Sequence, residues 1–305
     1  MATHKLRWSG IILSVIGIVL VIVGIVWMTV IFPGLAQIPT DYERTFYSDG
    51  TFSVLNSETQ SMDTFPVEQT LAQNAVGTQD GTLLIHQKST VVDTATGADL
   101  SAYYGDESTL AITRKTLKFA PSVDERGRTG YWSPPMGLSQ ASSFSIYIDS
   151  VNGPLPASYV NSEELQGLKV LVFQVNASDV PIGPNPQTQL PMFLSTTVNL
   201  AIEPKTGTVV DQNSVTTTSM DMGGTNVPVL VANLGWTNAT VTDMVKVAKD
   251  ALGMLFWFQT MLPWLLIGIG AVLFILGVII LARRREAKVG RRHEAPVARE
   301  HGATA

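Results

Sequence analysis

The chain has no cysteine among its 305 residues and only four histidines, at positions 4, 86, 293 and 301. The missing thiol excludes a disulfide scaffold, a thiolate metal site, a cysteine nucleophile and an anchor through a lipidated cysteine. The scarcity of imidazole argues against most histidine-dependent chemistry. Charge is scant too, at 15% of residues, against roughly 25% in an average soluble protein. With 45% hydrophobic residues, a chain this long implies membrane-embedded segments rather than an unusually apolar globule.

Two uncharged runs supply them. Gly10 to Phe32 reads GIILSVIGIVLVIVGIVWMTVIF, and Met261 to Ala282 reads MLPWLLIGIGAVLFILGVIILA. At about 1.5 Å rise per residue the first spans roughly 34 Å, enough to cross a hydrocarbon core of about 30 Å. Its apolar stretch is too long for the core of an ordinary cleaved signal peptide, although Gly34-Leu35-Ala36 would supply small residues for cleavage. Lys5 and Arg7 precede the first run; Arg283, Arg284, Arg285, Lys288, Arg291 and Arg292 follow the second. Both basic flanks are distal to the segment between the spans, so the positive-inside rule predicts two cytoplasmic ends.

The charge balance agrees with that topology. The formal total is −5; two positive side chains precede the first run and the tail from 283 carries a net +4, which leaves −11 for the middle. Trp8, Trp27, Trp257 and Trp264 stand near the ends of the spans, where amphipathic rings settle at a bilayer surface. The predicted organisation is therefore a cytoplasmic N-terminus (1–9), a first transmembrane helix (10–32), an extracytoplasmic β-rich domain (33–260), a second transmembrane helix (261–282) and a basic cytoplasmic tail (283–305). In class this is an α+β membrane protein, two helices flanking a mainly antiparallel-β domain.

Gly10, Gly17 and Gly24 recur every seven residues on one narrow stripe, and Gly270 and Gly277 repeat that spacing. Small residues let helix backbones approach closely in lipid. The stripes fit packing of the two helices on each other; a homo-oligomer built through them is the alternative. Neither run carries a polar stripe, so a water-filled pore lined by these helices has little support. The basic tail has a topogenic role and could also contact anionic lipid headgroups.

The segment between the spans reads mostly as strand. Ser48-Asp49-Gly50-Thr51 is expected to turn a hairpin between Tyr42–Phe46 and Phe52–Leu55, and Gln79-Asp80-Gly81 another. Phe144, Ile146 and Ile148 alternate, and Lys169 to Val175 returns from Gln166-Gly167 as a buried strand. One pattern occurs twice: Val92-Asp93-Thr94-Ala95-Thr96-Gly97 and Ile202-Glu203-Pro204-Lys205-Thr206-Gly207 each read as strand, acidic residue and glycine-closed turn. A helix over about 241–256 keeps apolar spacing at Val241, Val245, Ala248, Leu252 and Leu255. Thr240 with Asp243 resembles a capping box, and Pro263 is expected to break the chain into the second span.

Chemistry-bearing motifs are few. Gly137-Leu138-Ser139-Gln140-Ala141 resembles a nucleophile elbow, but that arrangement needs a later histidine in the same compartment, and His293 and His301 lie in the tail. Lys205-Thr206-Gly207-Thr208 resembles the phosphorylated-aspartate motif of transport ATPases, with Glu203 where the acceptor would stand. The acidic pairs Asp106-Glu107, Asp124-Glu125 and Glu163-Glu164 lack the alternating spacing of a calcium loop and are expected on a solvated surface. His86 lies in a strand with no second ligand. The sequons at Asn176 and Asn238 matter only in a glycosylating host. No enzyme activity, metal or cofactor is expected, and nothing points to a nucleic-acid partner.

Four places carry a family resemblance: the glycine-stepped span ending in IFPGLA, LQGLKVLVFQV at 165–175, LAIEPKTGTVV at 200–210, and ATVTDMVKVAKDAL with LPWLLIGIGAVLFILG at 239–277. In these the chain resembles the actinobacterial porin-A-like (PorA-type) family of two-pass envelope proteins. The resemblance implies a cell-envelope protein in a channel or transport assembly, with the lipid bilayer and other envelope proteins as partners. It carries no agreed active site. The plan of two spans and a β-rich ectodomain is also similar to class B scavenger receptors, which implies the alternatives of a hydrophobic (lipid) ligand or a structural scaffold.

Overall fold

The computed structural model describes residues 2–32 and 37–290. They divide into two compact units, one built from the two ends of the chain and the other spanning Gln37–Gly253. Two terminal apolar helices thus flank a large antiparallel sheet, in an α+β architecture.

The terminal unit is a helix pair. Helix α1 (Ala2–Val26) passes into a π-helical turn at Trp27–Ile31. Helix α3 (Leu262–Gly290) is preceded by a longer π-helical stretch, Leu255–Met261. By length and hydropathy each terminal helix is able to cross a membrane. Pro263 does not break the chain, contrary to expectation. The Leu262 N–H reaches back five residues to the Trp257 carbonyl, and this wider turn admits the proline ring within a continuing helix.

The second unit is an eleven-stranded sheet in the order β5-β4-β3-β2-β1-β11-β10-β9-β8-β7-β6. Its strands are β1 (Glu43–Leu55), β2 (Met62–Gln79), β3 (Thr82–Asp93), β4 (Asp106–Thr113), β5 (Lys118–Phe119), β6 (Phe144–Ile148), β7 (Gly153–Leu165), β8 (Leu168–Pro184), β9 (Pro191–Ile202), β10 (Val209–Asp221) and β11 (Asn226–Trp236). The chain meanders outward from β1 to one edge, crosses to the other, and meanders back until β11 pairs with β1. One transverse row crosses nine strands in register: Phe144, Ala157, Val175, Val198, Ser214, Leu234, Gly50, Val67 and Asp93.

Asp49-Gly50 makes no hairpin. Strand β1 runs straight through it, and a Cβ on Gly50 would collide with the Asn233 carbonyl of β11. The glycine serves close backbone approach inside a strand, a role indistinguishable in sequence from a turn signal. The expected turns at Asp80-Gly81 and Gln166-Gly167 do form, with both residues of each pair at positive φ.

Helix α2 (Asn238–Met254) buries Val241, Met244, Val245 and Ala248 against Leu168, Val170, Ala201 and Val210. Its cap is Thr237, whose Oγ1 accepts the Thr240 N–H, rather than Thr240 itself. Thr240 is buried in the first turn, and its hydroxyl sits on the backbone of Tyr47 in β1.

Candidate functional site

Within the terminal unit the two glycine stripes meet each other. A Cβ on Gly17 would lie 2.5 Å from the Gly270 carbonyl, and one on Gly270 would lie 2.6 Å from the Gly17 carbonyl. Gly10 faces Gly277 in the same way, 3.3 Å from its carbonyl, while a Cβ on Gly277 would overlap Ser14 Oγ. Gly24 lies level with Pro263 and Ile267. The register is antiparallel, and helix backbones this close exclude any solute path between them. At the Trp27 end the indole Nε1 donates to the Phe258 carbonyl at 2.8 Å. Phe256, Trp257, Phe258 and Trp264 all stand exposed near that end.

In the sheet unit, the segment after β5 joins the two edge strands. Phe119 N–H donates to the Gly130 carbonyl and Trp132 N–H to the Leu117 carbonyl on one side. On the other, Tyr131 N–H donates to Ser145 and Tyr147 N–H to Tyr131. Edge strands left open invite pairing with other chains, and this three-residue stave closes both.

Arg128 anchors the stave. Its side chain is fully buried, with the guanidinium 5.9 Å from the ring centroids of Phe119 in β5 and Tyr147 in β6. Nη1 contacts both oxygens of buried Asp124 at 3.1 Å and the Thr109 carbonyl, and Nη2 donates to Ser108. Asp124 also accepts the backbone N–H groups of Ala111, Arg126 and Arg128. Arg128 Nε lies 3.4 Å from Asp149, whose carboxyl burial pushes above the usual range despite the attraction of that guanidinium. Asp124 therefore belongs to the core, a correction to its expected place on a solvated surface. Nearby, Tyr42 packs edge-on against Trp132 and donates to Gln73, and burial raises its phenol to about 12.

The remaining acidic pairs are partnered or open to solvent. Asp106 accepts from Arg126, and Glu107 bridges His86 and Lys88 at the surface. That arrangement holds the Glu107 carboxyl below its ordinary value, chiefly through the Lys88 hydrogen bond. Glu163 and Glu164 are exposed. The Ser139 hydroxyl pairs with the Ser142 hydroxyl at 3.1 Å, in a turn that Ser139 and Ser142 also close through their backbones. The Glu203 carboxylate accepts from the Lys205 and Thr206 amides, so the motif at 205–208 is a capped turn. The apolar strands at 144–148 and 169–175 fill one another: Phe144 and Phe173 pack at 5.3 Å in a core with Val175, Val198 and Leu200. Arg283, Arg284, Arg285 and Lys288 fall in the last turns of α3; Arg291 and Arg292 lie outside the described residues.

The turn seen twice in the sequence occurs five times. Residues 56–60, 93–97, 113–117, 185–189 and 203–207 each close with the fifth amide on the first carbonyl. In every case the fifth residue, Gln60, Gly97, Leu117, Gln189 or Gly207, has φ between 56° and 75°. A threonine holds the fourth place in all five. In four of them the first side chain, Asn56, Asp93, Asn185 or Glu203, accepts from the amides that follow it.

Two membrane-length apolar helices and an antiparallel sheet with a bridged edge define a two-helix membrane protein carrying one β domain. The Porin PorA family matches residues 9–279, and the chain belongs to it. No curated protein matches this chain.

Proposed function

We propose that this porin-family protein is a non-enzymatic component of a channel or transport assembly in the cell envelope, inserted with both ends in the cytoplasm. The observation that carries the reading is the helix pair itself. Its glycine faces are used up in mutual contact and its remaining surface is apolar, so a solute path would run through the sheet domain or through partner proteins. Polar side chains line part of one sheet face: Gln73 donates to Gln87, and Gln69 to Ser89. The orientation follows from Lys5, Arg7 and the arginines from 283 onward. These basic residues flank the two apolar runs on the sides distal to the sheet domain's sequence, which supports a cytoplasmic placement of both ends. On this reading the basic tail contacts anionic lipid headgroups.

The test is conductance of the purified full chain in planar bilayers, alone and with its co-purifying partners. Discrete conductance supports the channel reading. Silence in both, with an acyl-chain ligand found by native mass spectrometry, would decide for a lipid carrier.

A further inference from the structure

The sheet carries a groove on the face opposite the Phe144–Phe173 core. Its cavity, about 250 Å³, is lined by Val160, Asn161 and Glu163 of β7, Val172 of β8, Asn199 and Ala201 of β9, and Asp211 and Asn213 of β10. Asn161, Val172, Ala201 and Asp211 form one transverse row in register. The two walls, β7 and β10, are the strands whose register slips here, between Tyr159 and Asn161 and between Val209 and Asp211. Bulges bend strands and re-aim side chains, and they concentrate beside functional sites. Three strand spacings of about 4.8 Å separate the walls, roughly 14 Å between backbones, which leaves room for one sugar-sized ring between the side chains.

The polar groups are held in fixed directions. Asn176 Nδ2 donates to Gln174 Oε1 at 2.7 Å, Gln174 Nε2 to Asn199 Oδ1 at 2.9 Å, and Asn199 Nδ2 to Asn213 Oδ1 at 2.9 Å. This relay of amides ends with Asn213 Oδ1 as its acceptor, and the Asn213 side chain stands exposed at the groove. Asp211 stands half-buried next to it with no cation paired to it among the described residues. Burial raises its carboxyl above the ordinary range.

We propose that this groove binds a neutral saccharide unit, a reading independent of the channel assignment. Half-buried Val172 and exposed Val160 offer an apolar floor and rim to the C–H face of a sugar ring. The amides of Asn161, Asn199 and Asn213 and the carboxylates of Glu163 and Asp211 around them supply both donors and acceptors, as a ring of hydroxyls requires. No arginine or lysine lines the groove, which disfavours an anionic ligand. No group of three metal-ligating side chains gathers among the described residues. The ordered amide relay costs little further freedom on binding.

The experiment is saturation-transfer difference NMR on the full chain in a detergent without a sugar headgroup. The probes are maltohexaose, cellohexaose, laminarihexaose, xylohexaose, mannohexaose and chitohexaose. At least one should receive saturation from the protein, and Asp211→Leu should weaken it at least tenfold, Asp211→Asn by less. Asn213→Ala, at an exposed amide, should also weaken binding without altering the circular dichroism, and it serves if Asp211→Leu fails to fold. The proposal is overturned if none of the six binds, if binding survives the Asn213 and Asp211 substitutions, or if calcium alone is what the groove takes up.

Discussion

The Trp27 indole donates to the Phe258 carbonyl at 2.8 Å, across 231 residues of chain. Pro263 explains why that carbonyl needs an outside donor. In the π-helical stretch Leu262 N–H goes to Trp257, and the next amide, which would reach Phe258, is the one proline lacks. A backbone carbonyl left without a partner is costly, so the partner helix supplies the hydrogen. Trp27→Phe should therefore destabilise the helix pair by about 1 kcal/mol, read as a lower denaturant midpoint of helical ellipticity in detergent. In a Pro263→Ala background the restored amide should absorb most of that loss. Equal losses in both backgrounds would show that the missing Pro263 amide is not what the indole compensates.

The glycine contacts make a sharper demand on the same pair. Gly17→Leu places a side chain where the Gly270 carbonyl and the Phe274 backbone already stand. It should separate the helices, lowering the midpoint further than Trp27→Phe does, with the mass in light scattering unchanged. If the stripe served contacts between copies instead, the oligomeric mass would fall while the intrachain pair survived.

Arg128 and Asp124 form a buried ion pair, and removing one partner of such a pair typically costs 3–5 kcal/mol because the other charge stays buried. Arg128→Met should lower the unfolding free energy of the sheet domain by that amount, and Arg128→Lys should not rescue it, since a single ammonium does not span the Asp124 oxygens and Ser108 together. A small effect of Arg128→Met would mean that the stave is held by its backbone bonds alone. The pH dependence has a definite sign at Asp149. Its raised carboxyl favours the protonated form in the fold, so its contribution is fully present at low pH and fades as pH climbs through the raised value. Asp149→Asn should therefore be more stable than the parent at neutral pH, and the two should converge in acid. The difference is small, because the Asp149 carboxylate is half exposed.

What was legible in the sequence followed from signals with one physical meaning. Long uncharged runs had only the membrane as an explanation, and their glycine steps only close packing. Asp80-Gly81 and Gln166-Gly167 stood between alternating strands and turned as expected. Asp49-Gly50 carried the same letters but sits inside a strand, because pairing with Gly235 and Leu234 of β11 is invisible at that sequence separation. Three of the five recurrent turns carry no glycine signal, because Gln60, Leu117 and Gln189 occupy the left-handed position. The Arg128–Asp124 pair was hidden in a loop rich in glycine and charge, with only its four-residue spacing as a clue. The groove on β7–β10 depends on two bulges, and no residue pattern announced them.

Membrane orientation is the prediction with the simplest readout. A phosphatase reporter that folds only outside the cytoplasm, fused after Ala305, should be inactive, and the same reporter inserted at the exposed Asn56–Gln60 turn should be active. Activity at Ala305 would reverse the positive-inside assignment and place the sheet domain in the cytoplasm.

Gly97 and Gly207 provide a matched pair, since each closes the same turn in the left-handed region, at φ 75° and 73°. Around Gly97 a Cβ would meet open space. Gly97→Ala should cost only the left-handed strain of an alanine, about 1 kcal/mol. At Gly207 a Cβ would lie 2.6 Å from the Pro134 carbonyl and 2.7 Å from that of Pro135. The strand of chain carrying those prolines is tied down there by Gly137 and Leu138, whose amides donate to Lys205 and Pro204. Relief would require breaking those bonds and shifting Leu138 in the Phe144–Phe173 core. Gly207→Ala should therefore cost at least twice as much as Gly97→Ala in the same denaturation experiment. Equal costs would mean that the proline-rich loop yields freely, and that the turn at 203–207 is a surface feature like its counterpart at 93–97.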